Sequence, residues 1–253
     1  MRDGISMPDS EYFANPAISK SLLAKMDCPA KLSIRMEQST AMMEGTIIHC
    51  AILEPDCFDD RFVVAPSINR RTNAGKAEWA AFCENNADKT VITSAQYDAA
   101  MFAQKAVHGH PMASKLLSGG RAEQAYFWTD DRTGERCKCK ADYVNDSIID
   151  LKTCVSASPG AFAKACADYK YHWQHAWYSR GIGIDDFIFI ALEKRSNVVE
   201  VYQLDDVAVE LGMLQIDAAL DKYILCRDFD DWPGYNDPNA VTQLSLPAWA
   251  MRG

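Results

Sequence analysis

The sequence predicts a fold of the mixed α/β (α+β) class, and three observations support that prediction. Three consecutive segments have the alternating composition of strands and are separated by turn-forming residues. A long helix is expected next, from Ser158 with a proline at its first position to Gly181 and Gly183. A further strand pair follows that helix. The predicted strands are 122–130, 136–144, 148–153, 186–193 and 198–204.

The other elements are predicted from capping residues, apolar periodicity and helix-ending prolines. A single domain over 1–253 is the simplest organisation, with an N-terminal arm over 1–17 and an irregular tail over 228–253. Between them we predict a short helix from Ile18, helices over 40–53, 74–86, 95–118 and 205–227, and a strand over 62–66.

Composition indicates an ordinary soluble globular protein. Hydrophobic residues make up 48% and charged residues 24% of the 253 positions. The sequence has no apolar run of membrane-spanning length and no signal-peptide pattern, so we expect a cytoplasmic protein without membrane association. The formal charge of −9 argues at first against a nucleic-acid partner, but a sum does not say where the positive groups lie. Charge alone leaves the partner open.

Nine cysteines are an odd number in a chain without a secretory signal, which favours reduced thiols over disulfides. Cys137, Cys139, Cys154 and Cys166 come close together in the sequence, but their spacing is not that of a zinc ribbon. Free cysteine is among the most buried residue types. We therefore predict buried structural thiols here.

Two aspartates in the predicted hairpin form the strongest candidate site. If the loop is the three residues 145–147, Val144 pairs with Ile148 and Asp142 falls directly across from Asp150. Like charges placed opposite one another destabilise a strand pair. The arrangement is easier to understand if a divalent metal ion lies between the two carboxylates.

Phosphodiester hydrolysis is the chemistry that such a site suits. Mg²⁺ prefers oxygen ligands, so the two aspartates and a backbone carbonyl such as that of Leu151 could hold it. Lys152 lies on the same strand face as Asp150, because strand side chains repeat with period two. Its ammonium could position the attacking water or neutralise developing charge. An Asp-x-Lys motif alone is weak evidence, because a salt-bridged surface strand often contains it.

Other candidates depend on the fold for their meaning. Glu123, on the preceding strand, could lie near the aspartates, although its direction is open. Gln174 and Tyr178 are four residues apart on one helix face, and a buried polar pair needs partners. His49 lies in an apolar helix, where a core histidine is the more common case than a metal ligand. Gly45, one turn earlier, would permit close approach of another backbone.

Two polar segments could contact phosphate. Ser19, Lys20 and Ser21 lie at a helix start, where plain capping is an equally good interpretation. The segment from Asn69 to Lys76 is polar, basic and contains a glycine, and a solvated loop is the alternative there. The candidate phosphate-binding residues in it are Asn69, Arg70, Arg71 and Lys76.

Together these residues resemble the PD-(D/E)XK nuclease superfamily, its RecB-like branch, and within it the RecE-like exonucleases of prophage recombination systems. Asp142, Asp150-Leu-Lys152 and Gln174-x-x-x-Tyr178 carry the resemblance at the site. The likeness extends over most of the chain, to Ile18-Ser-Lys-Ser, Leu53-Glu-Pro55, residues 69–76 and 169–179, and Leu244-Ser-Leu-Pro247. Ala141 departs from the proline of the superfamily name, but that proline binds nothing.

The resemblance implies a restriction-endonuclease-like core, with a central mixed sheet flanked by helices. It implies an exodeoxyribonuclease that uses Mg²⁺, or Mn²⁺ as a substitute, to digest linear duplex DNA from 5′ to 3′ for an annealing protein. It also implies a toroidal homo-oligomer, a trimer or tetramer, around a DNA channel. His49, Asp142 and Asp150 match metal ligands, and Lys152 matches the catalytic lysine. Glu123, Gln174 and Tyr178 match supporting positions.

Several alternatives remain at this stage. Related nucleases with an iron-sulfur cluster need cysteines soon after the Gln-x-x-x-Tyr helix, and only Cys226 follows it, which disfavours a cluster. An endonuclease of the same fold and a catalytically idle DNA-binding module of a recombination complex are the competing functions. A channel lined by Arg70, Arg71, Lys76 and the 138–140 region would reconcile DNA binding with an acidic total.

Overall fold

The computed structural model describes residues 2–34 and 39–251. The domain predicted over 1–253 therefore includes residue 1, residues 35–38 and residues 252–253, which lie outside the described part. Within that part the strands are β1 (Ile5–Ser6), β2 (Phe62–Val64), β3 (Thr90–Ile92), β4 (Arg121–Thr129), β5 (Arg136–Val144), β6 (Ile148–Cys154), β7 (Phe187–Glu193) and β8 (Val199–Tyr202). The helices are α1 (Asp9–Ala14), α2 (Lys20–Leu23), α3 (Thr40–Leu53), α4 (Phe58–Arg61), α5 (Asn73–Asn85), α6 (Ser94–Gly109), α7 (Pro111–Leu116), α8 (Pro159–Asp168), α9 (Tyr171–Ile182) and α10 (Asp206–Phe229).

Six strands form one mixed sheet in the order β1-β4-β5-β6-β7-β8. Neighbouring strands are antiparallel except β6 and β7, which are parallel and are connected through α8 and α9. A separate small sheet pairs β2 with β3 in parallel. The predicted mixed sheet flanked by helices is therefore confirmed.

Helices cover both faces of the sheet. On one face, Trp177 of α9 and Ile216 of α10 pack with Phe187 and Phe189 of β7 in the larger core. On the other face, a second core joins α3 and α6 to the apolar residues of β6 and β7. Its fully buried members include Ile52, Val107, Ile149, Leu151 and Ile190. The strand β6 thus lies between two apolar layers, and a polar group there needs a partner.

The sheet forks between β5 and β6. These strands pair only at Tyr143 with Ile149 and at Val144 with Ile148, directly beside the hairpin loop. Beyond those pairs, β6 continues along β7 and β5 continues along β4. The segment at Ile18 lies beside the free edge of β5, because its N–H donates to the Arg136 carbonyl and its carbonyl accepts from Lys138 N–H, both at 2.8 Å. The fork brings an early part of the chain next to the hairpin.

Two predicted helices are broken in the structure. The helix expected from Ser158 to Gly181 divides into α8 and α9 at Lys170, whose φ of 56° is left-handed. The helix expected over 95–118 divides into α6 and α7 at His110, because the following Pro111 has no N–H and disfavours helical geometry in the residue before it. Both predictions of a continuous helix were wrong.

The chain termini also differ from expectation. The predicted arm over 1–17 contributes the edge strand β1 and the helix α1, and Tyr12 of α1 is buried. The predicted tail is irregular after α10 until a 3-10 turn at Ala248–Met251. The strand β3 was not predicted. Among the described residues, no helix combines the length and the apolar character that a membrane span requires.

Candidate active site

The carboxylate of Asp142 lies in the fork of the sheet. The predicted loop 145–147 and the Val144–Ile148 pair are confirmed, but the strands separate before Asp142 and Asp150 can pair. Instead, Asp142 Oδ2 accepts a hydrogen bond of 2.8 Å from the N–H of Leu151. The side chain therefore occupies a position that a backbone carbonyl would take in a regular ladder.

Asp150 is almost completely buried and is held from two sides. Gln174 Nε2 donates a short hydrogen bond to its Oδ1, and Lys152 Nζ lies 2.6 Å from its Oδ2. The Lys152 ammonium partly neutralises this buried carboxylate, and Gln174 fixes its orientation. A buried, oriented carboxylate beside that of Asp142 is a good position for a metal ligand.

Lys152 is fixed by a third group, Tyr171. Its Nζ lies 4.7 Å from the centroid of the Tyr171 ring, within the range of a cation–π interaction. The left-handed Lys170 begins α9 at this tyrosine and is itself anchored by Asp27 at 2.6 Å. The break in the helix thereby places Tyr171 under the ammonium, and Gln174 follows one turn later.

A second group of possible ligands lies beside Asp142. One ligand atom each of His49, Glu123 and Asp142 lies within 4.8 Å of the others, and His49 Nδ1 is 3.7 Å from Asp142 Oδ2. Glu123 has a left-handed φ of 53° within β4, an uncommon conformation that costs about 1–3 kcal/mol and is concentrated at functional sites. Lys140 Nζ holds its carboxylate at 2.9 Å.

The pKa values of these groups show how crowded the charges are. Burial, together with the charge of Asp150, raises the pKa of Asp142 to about 7. Burial and then Asp142 raise the pKa of Glu123. Burial and Lys152 lower the pKa of His49. Burial lowers the pKa of Lys152, but the carboxylates of Asp150 and Asp142 outweigh it and the net shift is upward. A cation between the carboxylates would relieve their repulsion.

These residues fit a divalent metal. His49, Glu123 and Asp142 offer one nitrogen and two carboxylates, and the buried carboxylate of Asp150 lies beside them. Carboxylate-rich sites suit hard divalent cations. Of the predicted ligands, the structure places His49, Asp142 and the Leu151 backbone together, with Asp150 beside them. Glu123, predicted as a supporting residue, is a possible ligand.

A cavity of about 450 Å³ opens at this site. It is lined by the predicted residues Ser19, Lys20, Ser21, His49, Asp142, Asp150, Leu151, Lys152, Gln174 and Tyr178. Ser19 caps α2 as predicted, since its Oγ accepts from Leu22 N–H, and it lies 3.0 Å from the Ser21 hydroxyl. Burial and Lys152 lower the pKa of Lys20 to about 8. The early segment and the hairpin thus share one cavity.

Some residues behave differently from the predictions. Asn69, Arg70, Arg71 and Lys76 do not line this cavity. Among the described residues no backbone approaches Gly45 closely, because a Cβ at that position would meet none of their atoms within 4 Å. Tyr171 and Lys138 do line the cavity and were not predicted as site residues. The spacing of Tyr171, Gln174 and Tyr178 by three and four residues was a usable signal that they share a helix face.

The cysteines near the hairpin are structural. Cys137, Cys139 and Cys166 are buried in the larger core, and Cys154 is half-buried at its edge. Burial raises the pKa of Cys137 to about 12, which keeps the thiol protonated. The prediction of buried thiols is confirmed for these three residues.

The comparisons with known proteins agree with this geometry. The family described as "PDDEXK-like domain of unknown function (DUF3799)" matches residues 19–242. No curated protein matches the chain at a significant level. A crystal structure from Eubacterium rectale, described as that of a "putative exonuclease", superposes with a TM-score of 0.63 at 13% identity and covers 98% of this chain and 99% of the other.

That likeness shows a shared fold, because the identity is too low to transfer more. A second solved structure, that of SSO0001, has a TM-score of only 0.32 at 14% identity over 87% of each chain, and it supports no argument. The family match, in contrast, spans most of the sequence. The chain therefore belongs to the family of PDDEXK-like domains DUF3799 and has the PD-(D/E)XK nuclease fold.

Proposed function

We propose that this protein is a metal-dependent exodeoxyribonuclease that degrades one strand of linear duplex DNA from 5′ to 3′ with Mg²⁺. The family and the fold support a nuclease at the coarser level. The observation that carries the proposal is the convergence of His49, Asp142, Asp150 and Lys152 from α3, β5 and β6 on one cavity. A scaffold protein would have no need to keep this set together.

The protein groups have distinct roles in the proposed reaction. His49, Asp142, Asp150 and Glu123 would hold the ion, which when bound polarises a phosphoryl oxygen and lowers the pKa of a water ligand. Lys152 stays protonated, because its pKa is raised, and its ammonium can neutralise charge that develops on the phosphate. Gln174 fixes the orientation of Asp150 by donating to Oδ1.

The cavity also offers groups for a DNA phosphate. Ser19, Lys20 and Ser21 face it from the early segment, and Lys20 Nζ donates to the Tyr169 carbonyl at 2.9 Å. A phosphate would gain one ammonium and two hydroxyl groups there. We propose that this segment holds a phosphate next to the scissile bond.

The finer parts of the proposal rest on the resemblance to RecE-like exonucleases. They are the 5′ to 3′ direction, the 3′ single-stranded tail for an annealing protein, the toroidal trimer or tetramer, and action in the cytoplasm of a bacterial or phage-infected cell. Mn²⁺ is expected to replace Mg²⁺, since both accept oxygen ligands in octahedral geometry.

End-labelled duplex DNA tests the activity, its direction and its metal requirement together. We expect loss of the 5′ label first from linear duplex, no digestion with EDTA, and an intact covalently closed circle. Asp150→Asn and Lys152→Ala should each lower the rate at least about 100-fold, as removal of one electrostatic group at a phosphoryl or acyl site does. Variants that degrade DNA as fast as the parent would overturn the site assignment.

The two alternatives have distinct outcomes in this experiment. Cleavage of the closed circle would identify an endonuclease of the same fold. Binding of duplex without any digestion in Mg²⁺ or Mn²⁺ would identify a catalytically idle DNA-binding module. An exposed acid outside the cavity, changed as Asp59→Asn, serves as the matched control for Asp150→Asn.

A further inference from the structure

A basic and aromatic surface lies outside the catalytic cavity. It consists of the loop 69–72 and the helix α5, of whose residues only Gly75 is buried. In this loop and helix, the exposed cations Arg70, Arg71 and Lys76 make no ion pair with a described carboxylate, whereas many other cations of this acidic protein do. Three unpaired cations within seven residues make the loop and the first turn of α5 positive, while Glu78 and Glu84 follow later in the helix.

Three planar groups form a row on this surface. The Arg70 guanidinium lies 4.0 Å from the centroid of the Trp79 ring, and the Trp79 and Phe82 rings are 5.4 Å apart and inclined by 33°. Trp79 and Phe82 are half-exposed, although aromatic side chains on a helix usually pack into the core. Lys76, Trp79 and Phe82 follow at intervals of three and therefore share one helix face.

Hydrogen bonds hold the loop 69–72 against the start of α5. Thr72 Oγ1 accepts from Gly75 N–H at 3.0 Å and donates to the Asn69 carbonyl at 3.2 Å. A Cβ at Gly75 would lie 2.1 Å from the Asn69 carbonyl oxygen, so only glycine permits this contact. The loop backbone is thus held close to α5, and the Arg70 guanidinium already lies over Trp79, which lowers the entropy cost of binding.

We propose that Arg70, Trp79 and Phe82, with Arg71 and Lys76, form a second DNA-contact surface that binds single-stranded DNA. Unpaired cations alone would not select a single strand, because duplex and single strand both present phosphates and the duplex has the higher charge density. Aromatic rings and a guanidinium plane on the surface add affinity mainly for unstacked bases, which have free π faces. The choice of DNA as partner rests on the proposed nuclease function, and the surface would hold the single strand that digestion exposes.

Equilibrium binding in EDTA tests this surface without digestion. The probes are one labelled oligonucleotide as a single strand and the same sequence as a blunt duplex, measured by fluorescence anisotropy. Trp79→Leu should raise the single-strand Kd roughly tenfold, as loss of one stacking group does, and leave the duplex Kd nearly unchanged. Arg70→Gln should weaken both and lower the salt slope for the single strand by about 0.7.

The pair Lys31 and Tyr235 provides the matched control. It is another exposed cation–π pair, with Lys31 Nζ 4.9 Å from the ring centroid, and Tyr235→Leu should change neither Kd. A circular dichroism melt checks that Trp79→Leu is folded. The proposal is overturned if Trp79→Leu binds the single strand as the parent does, or loses duplex and single strand equally.

The binding and digestion experiments together distinguish failure of the single-strand surface from failure of the nuclease function. If the parent digests DNA but Trp79→Leu keeps its single-strand affinity, the second surface is wrong and the nuclease stands. If the parent neither digests nor binds DNA, both are wrong. If single-strand affinity depends on Trp79 while Asp150→Asn binds like the parent, the second surface is supported and is separate from the cavity.

Discussion

Tyr171 is the residue whose role is easiest to isolate at the site. Its ring face supports the Lys152 ammonium at 4.7 Å, while its own ring packs against Phe189 at 5.8 Å. A cation–π contact contributes about 0.5–2 kcal/mol, depending on its desolvation. Because the contact needs only the aromatic face, the hydroxyl group is not required for it.

We therefore predict different effects for two substitutions of Tyr171. Tyr171→Phe should keep kcat, whereas Tyr171→Leu should lower kcat roughly tenfold because Lys152 loses its support. KM should change little in both, since the ring is assigned no phosphate contact. Steady-state digestion of linear duplex measures this. A larger loss in the Phe variant than in the Leu variant would show that the hydroxyl group, not the ring, matters.

For His175 we predict an effect on the stability of the fold and none on activity. Its Nε2 faces the Asp185 carbonyl at 3.2 Å, its ring stacks on Phe187 at 5.1 Å, and its Nδ1 is buried without a partner among the described residues. Burial lowers its pKa. The unfolded chain, with a histidine pKa of about 6.5, therefore binds the proton more readily than the folded protein.

The sign of the pH effect follows from this difference. His175 favours the folded state fully at high pH, and this contribution is lost as pH falls through about 6.5 towards the lower folded pKa. His49 acts in the same direction, because burial lowers its pKa too. Asp142 and Glu123, whose pKa values are raised, act in the opposite direction over this range. His175→Gln should therefore make the slope of unfolding free energy against pH, between about pH 5 and about pH 7, less positive than in the parent. Urea titrations at several pH values measure it; an unchanged slope would contradict the assignment.

At the scale of elements, α9 and α10 pack closely because of one glycine. A Cβ at Gly212 of α10 would lie 2.3 Å from the His172 carbonyl oxygen, which is backbone and cannot move aside cheaply. We predict that Gly212→Ala destabilises the fold by about 1–3 kcal/mol, the usual cost of overpacking. For a protein of this size that corresponds to a Tm lower by about 2–12 °C.

Gly45 of α3 is the matched control for this substitution. A Cβ there meets nothing within 4 Å, so alanine brings only the helix-propensity gain of about 0.5–1 kcal/mol. Thermal melts should therefore move in opposite directions for the two Gly→Ala variants. A lower Tm for Gly45→Ala would mean that α3 contacts a group outside the described contacts.

The helices also show what the sequence could and could not predict. The break at His110 had a local signal in Pro111, and it could have been predicted from the sequence. The break at Lys170 had none, since its left-handed conformation is supported by Asp27, which only the fold brings near. The hairpin was predictable because alternation and loop residues are local features. Its fork was not, because it depends on Ile18 pairing with β5.

The same distinction applies to the site. Asp150 and Lys152 share a strand face by periodicity alone, and the structure confirms their contact. His49 and Glu123 come from α3 and β4, and nothing local to either residue indicated that they meet Asp142. For Glu123 the strand order suggested only nearness to the aspartates with an open direction, and for His49 only the likeness to known nucleases suggested a ligand. Residues that converge through packing are therefore the ones that single-sequence reasoning misses.

At the scale of the whole molecule, the positions of the charged groups matter more than the net charge. Many of the cations are paired with acids on the surface, as Arg132 is with Asp221 at 2.6 Å and Arg227 is with Glu135 at 2.8 Å. The acids of the cavity, in contrast, are crowded together and buried. An acidic total charge is therefore compatible with a DNA-binding protein, provided that a divalent ion joins the acids of the site.

This arrangement predicts that a divalent ion stabilises the folded protein. An ion that binds only the folded state adds about 2.7 kcal/mol at a concentration one hundred times its Kd. The Tm should then rise by roughly 5–10 °C in Mg²⁺ and also in Mn²⁺, measured by thermal shift without DNA. EDTA should reverse the rise.

Asp142→Asn separates the ion from other causes of stabilisation. The variant removes one repelling carboxylate, so without metal it should be at least as stable as the parent, since burial and Asp150 already disfavour the Asp142 charge. With one ligand weakened, its Tm should respond much less to Mg²⁺, while Asp59→Asn should respond as the parent does. An equal rise in all three proteins would place the stabilising ion elsewhere, because an ion held at the fork must lose affinity when Asp142 loses its charge.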